Sequence, residues 1–124
     1  MSVPHSPSNV INVDVTVVDG AIQVSPETVT VRGQNQVLQF KLRTAGYSFP
    51  SPGTLAIVLD PAHKAQFPKD PVWHNAQTVT LYDCNTNAAP CCYDYTVNVV
   101  DAAGRGLTLD PQIENEGKGT VVAV

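Results

Sequence analysis

Charge is scarce in this chain. Only 15% of its 124 residues are Asp, Glu, Lys or Arg, against ~25% in an average globular protein. The seven basic residues are outnumbered by eleven acidic ones, for a formal net charge of -4, and no Lys/Arg cluster stands out. Nucleic-acid binding needs a basic footprint that displaces counterions from phosphates, so nucleic acid is excluded as a partner. The same acidity argues against an anionic membrane surface. No apolar stretch approaches the ~20 residues of a membrane helix. "MSVPHSPSNV" has neither a basic start nor an apolar run, so it does not read as a secretory signal. That predicts a cytoplasmic location, or a periplasmic or secreted one if the cysteines prove oxidised. Ser48 is not set in a Gly-x-Ser-x-Gly elbow, and no glycine-rich phosphate loop occurs.

Long amphipathic helical patterns are missing too, and two-residue alternation stands in their place. In "VINVDVTVV", Ile11, Val13, Val15 and Val17 point one way, while Asn12, Asp14 and Thr16 point the other. This is the pattern of a half-buried strand. Asp19-Gly20 then marks a tight turn. "AIQVSPETVTVRG" reads as two short strands about a Ser-Pro-Glu turn. "VLQFKLR" alternates again, with Leu38, Phe40 and Leu42 inward. "TLAIVL" is a continuous apolar run, expected as a central strand covered on both faces or as one that crosses a sandwich edge. "QTVTLYD", "YDYTVNVV", "RGLTLD" and "GTVVAV" complete about nine strands. "DPAHKAQF" is the one helical candidate, with Asp60 as cap and Pro61 at the first position. Pro68 and Pro71 limit it to a turn or two. Residues 1–9 are expected as a flexible lead-in and 10–124 as a single all-β domain, an antiparallel Greek-key β-sandwich.

The three cysteines fall close together, in "DCNTNAAPCCYDY". Alternation places Val79 and Leu81 inward and Thr80, Tyr82 and Cys84 outward. It also places Tyr93, Tyr95, Val97 and Val99 inward and Cys92 outward. If the two segments form a hairpin, Cys84 lies opposite Cys92, and a cross-strand disulfide between them is a candidate. Free thiols without a role remain open, as does a metal or redox role. The spacing suits neither four-ligand zinc nor a Cys-x-x-Cys redox motif. A reducing compartment would keep the pair as thiols.

Histidine is equally sparse. His5 lies in the lead-in, His63 on the helical turn, and His74 beside Trp73. His63 and His74 with Asp60 and Asp70 would make a His–carboxylate site if they converge, or solvated loop polars if they do not. Asp110, Glu114 and Glu116 gather in "LDPQIENEG", as a calcium site or as solvated acids. Glu114 and Glu116 share a face if the segment is extended. Tyr47, Phe49, Phe67 and Trp73 occupy loops, either to meet a partner or to plug the end of the sandwich.

"VSPETVTVRGQNQVLQFKL" resembles the opening of cupredoxin-like domains, and "YDYTVNVV" resembles the strand before their C-terminal loop. The resemblance spans residues 10–100 and implies a cupredoxin-like sandwich. Small immunoglobulin-like sandwiches share much of the pattern. Type-1 copper needs two His, one Cys and a weak axial Met. The bend where the first His would fall reads Ala45, Gly46, Tyr47, Ser48, Phe49. The segment after Tyr95 offers no Cys, His or Met, and the sole Met is Met1. The resemblance thus implies the scaffold without its copper, and no cofactor is expected. The expectation for function is a non-enzymatic binding or assembly module. Its candidate surface is Tyr47, Phe49, His63, Trp73 and His74. It would meet a protein partner or pair with itself through edge strands such as "GTVVAV". The alternative is a small metal-dependent hydrolase or redox protein using the loop His and Cys residues.

Overall fold

The computed structural model describes residues 9–117. The elements are β1 (Val10–Val18), β2 (Ala21–Ser25), β3 (Thr28–Val31), β4 (Gln36–Leu42), β5 (Tyr47–Ser48), α1 (Gly53–Ala56) and β6 (Ile57–Leu59). A 3-10 turn (Pro61–His63) follows, and then β7 (Val72–Asn75), β8 (Thr78–Asp83), β9 (Cys91–Asp101), β10 (Gly106–Leu109) and β11 (Gln112–Asn115). One sheet runs in the order β2-β1-β4-β8-β7. The other is built on β9, which pairs with β5, β6, β10 and β11, while β11 also pairs with β3. The protein is an all-β sandwich.

Alternation positions the core as the sequence predicts. Val13, Val15, Leu38, Phe40, Val79 and Leu81 line the inner face of the first sheet. Val29, Val31, Tyr95, Val97, Val99 and Ile113 line the second, and all twelve are essentially inaccessible to water. Phe40 and Tyr95 meet across the layers, ring centroids 5.5 Å apart. The turn after β1 has positive φ at Asp19 (52°) and Gly20 (76°), the geometry that matches the right-handed twist of a hairpin.

The sheets are mixed rather than antiparallel. β1 runs parallel to β4, and β3 runs parallel to β11. The cause is that β2 and β3 follow one another across Pro26, with β2 paired to β1 in the first sheet and β3 to β11 in the second. β4 therefore returns in the direction of β1. A second interrupted strand is formed by β10 and β11. Gly106 faces Val100, Leu109 faces Val97, Gln112 faces Asp94 and Asn115 faces Cys91, all in one register. Pro111 breaks the strand, and its carbonyl still accepts from Tyr95 N at 3.1 Å. The Asp101 carboxylate closes the hairpin by accepting from the backbone N–H groups of Ala103 and Arg105 and from Arg105 Nε.

Other expectations change as well. Among the described residues there are eleven strands. β5, β7 and β11 lie outside the nine expected strands, and "GTVVAV" lies outside the described residues. "TLAIVL" is not one strand. It splits into the end of α1 and the three residues of β6. Gly53 starts that helical turn against Pro71, where a Cβ would stand 2.4 Å from a backbone oxygen. "DPAHKAQF" shortens to the 3-10 turn, with Asp60 as its cap, since Asp60 Oδ1 accepts from Ala62 N at 2.9 Å.

The hairpin that would have joined Cys84 to Cys92 does not form. Both edges of β8 are taken by β4 and β7, and β9 belongs to the opposite sheet. The side chains take the directions that alternation predicts, but parity along a strand carries no information about which sheet the strand joins. Cys84, Cys91 and Cys92 are free thiols, the last two exposed.

Candidate functional site

Residues 49–75 hold only two short strands, β6 and β7, set among α1 and the 3-10 turn. α1 packs against β9 and β6 of one sheet and β7 and β8 of the other, so this segment bridges the two sheets. Six large apolar side chains of the described residues are exposed, and four of them sit here: Leu55, Val58, Val72 and Trp73. Trp73 is held in place, since its Nε1–H donates to the carbonyl of Phe49 at 3.1 Å. Beside it lies an open pocket of 280 Å³ under the 3-10 turn. Ile57, Val58 and Phe67 give it an apolar wall. Asp60, His63, Lys64, Lys69 and Asp70 give it a polar mouth.

Of the expected surface residues, Trp73, His63 and Tyr47 are at least partly accessible, whereas Phe49 is 2% exposed. Phe49 is therefore a core residue, as is Phe67 at 5%. These two plug the sandwich, while Trp73 stays at its surface. The two histidines part company. His63 stands edge-on to Tyr93, ring centroids 4.8 Å apart, and shares the pocket with Asp60 and Asp70. His74 Nε2 hydrogen-bonds Thr80 Oγ1 at 2.8 Å, on the outer side of the first sheet. Among the described residues no three of His, Cys, Asp and Glu come close enough to hold a metal ion. Glu114 on β11 and Glu116 just past its end are both half-buried, and Glu116 pairs with Arg32 at 3.2 Å. Asp110 accepts from the Thr96 hydroxyl at 2.7 Å.

A wider groove of 620 Å³ opens where β2 and β10 diverge above their proline breaks. Ile22, Val24 and Leu109 line it with Glu27 and Asp110.

Sequence reasoning passed over the most deeply buried polar group. Asp83, Asn85 and Asn115 are all at 0% exposure. Asp83 Oδ1 accepts from Asn85 N at 2.9 Å and from Asn115 Nδ2 at 2.8 Å. Burial pushes the Asp83 carboxyl up to about 6, against those two hydrogen bonds. Burial likewise raises Tyr93 to about 12, with the Cys91 thiol beside it. The signal was available in the alternation, which puts Asp83 on the same inward face as Val79 and Leu81. No family model matches the chain, and no curated protein matches it.

Proposed function

We propose that this chain is a non-enzymatic binding or assembly module, on a cupredoxin-like scaffold that carries none of that family's copper ligands. It meets a protein partner through the segment from Tyr47 to Trp73. One observation carries the reading: four of the six exposed large apolar side chains gather on α1, β6 and β7, beside a pocket with a charged mouth. An apolar centre inside a polar rim is the anatomy of protein interfaces. An aromatic ring anchored by its N–H is the kind of residue that dominates their energy. β7 itself is a poor template for strand pairing. Pro68 and Pro71 precede it, and its ladder slips between Trp73 and Asn75, devices that discourage edge-to-edge addition. Recognition therefore rests on side chains. The hydrolase or redox alternative would need His63, His74 and the cysteines in one place. His74 is held on Thr80 at the outer side of the first sheet while His63 stands on Tyr93, which weighs against it.

The test compares the wild type with a Leu55→Gln, Val72→Thr double variant. Both residues are 51% exposed, so the melting temperature should hold. Binding of an anilinonaphthalene sulfonate dye to the folded protein should fall several-fold. Self-association seen by sedimentation velocity should be lost with it if the partner is a second copy. A wild-type protein that neither binds the dye nor self-associates overturns the proposal.

A further inference from the structure

One end of the sandwich is tied together by a polar node that is short of donors. Asn85 Nδ2 donates to the carbonyls of Val31 and Gly33 at 3.1 and 2.8 Å, and Asn85 Oδ1 accepts from Gly117 N at 2.7 Å. The node thus links β8 of one sheet to the ends of β3 and β11 in the other. Three buried oxygens near it have no donor among the described residues: Asp83 Oδ2, Asn115 Oδ1 and Asn87 Oδ1. Two of these, Asp83 Oδ2 and Asn115 Oδ1, belong to groups already joined, since Asn115 Nδ2 donates to Asp83 Oδ1. A buried acceptor without a donor is costly, and a buried unpaired charge more so. A proton on the carboxyl would supply a donor and remove the charge in one step.

We propose that Asp83 is a proton-operated clasp between the two sheets. When it is protonated on Oδ2, the acid donates to the Asn115 carboxamide oxygen while Asn115 Nδ2 keeps its bond to Oδ1. When it is ionised, the node holds a buried charge and its end of the sandwich loosens. The groups that face Asp83 leave its proton as the variable. Tyr93 lies on β9, with the Cys91 thiol and the His63 ring beside it. On β4 the residue opposite is the neutral Gln36. Tyr82 and Cys84 flank Asp83 in the chain and point to the other face of β8, where Lys69 Nζ lies 5.1 Å from the Tyr82 ring. Arg32 is engaged with Glu116, and among the described residues no ion pair includes Asp83.

The native carboxyl holds its proton up to about pH 6, the unfolded one only to 3.8. Stability from this group is therefore full below pH 3.8 and is lost as pH rises toward 6. By linkage the difference is on the order of 100-fold in the folding equilibrium. Carbon-detected NMR of the intact chain should place the Asp83 carboxyl midpoint near 6. Amides of Asn85 and Gly117 should lose protection above that pH relative to Leu38, after correction for intrinsic exchange. Asp83→Asn carries a permanent second N–H. It should melt higher than the wild type at pH 7.5 and show a flatter melting temperature between pH 4.5 and 7.5. A carboxyl midpoint near 4 overturns the proposal. So does a wild-type melting temperature at pH 7.5 that rises with added calcium or sodium, since a metal cation would then fill the place assigned to the proton. If the variant fails to fold, the wild-type titration alone decides.

Discussion

Tyr95 shows how one residue can serve the core at a cost. Its ring packs on Phe40 between the sheets, and its hydroxyl is buried with no hydrogen-bond partner among the described residues. Burial raises that hydroxyl well above the ordinary tyrosine range. Tyr95→Phe removes the orphaned group and keeps the ring. Its unfolding free energy should be unchanged or up to ~1 kcal/mol higher than wild type, because an unpaired buried donor is a penalty rather than a bond. A loss of more than that in chemical denaturation would reveal a partner for the hydroxyl. The cysteines illustrate the opposite case. They are conspicuous in the sequence and unremarkable in space, each a thiol at or near the surface, whereas Asp83 is inconspicuous and buried.

At the level of elements, proline punctuates strands without ending them. β2 passes into β3 at Pro26, and β10 passes into β11 at Pro111. At Pro26 the chain moves from one sheet to the other, whereas at Pro111 it keeps β9 as its neighbour and gains β3 on its other side. The turn of α1 depends on a close approach instead. Gly53 meets the backbone of Pro71 and Trp73, leaving no room for a side chain. Gly53→Ala should destabilise by ~1–3 kcal/mol, the range for overpacking a tight site, and should shift the fluorescence of Trp73. Unchanged thermal unfolding would show that α1 and β7 yield easily. This contact also explains why "TLAIVL" is not the single strand its apolar run predicts. Six apolar residues look alike whether they form a strand or a buried turn followed by one. Only the packing of Gly53 on a segment eighteen residues downstream separates the two.

For the molecule as a whole, pairing on both sides should set local stability. β4 lies between β1 and β8. β9 carries β10 and β11 on one side and β5 and β6 on the other. Their amides should exchange slowest, near the rate of global unfolding, while those of β7 and β2 at the sheet edges exchange faster. Equal protection in β7 and β4 would mean that a further contact covers that edge. From its sequence alone the chain determined its all-β class, the inward set from Val13 to Val99 and the turn at Asp19-Gly20. These depend on two-residue alternation and on backbone angles, which are properties of neighbouring residues. Tertiary structure alone decided that β8 and β9 belong to different sheets, that β1 and β4 run parallel, and that His63 and His74 point apart. It also decided that Asp83 sits among oxygens without donors. Strand partners and side-chain neighbours come from distant parts of the chain, and alternation is the same whichever strand lies alongside.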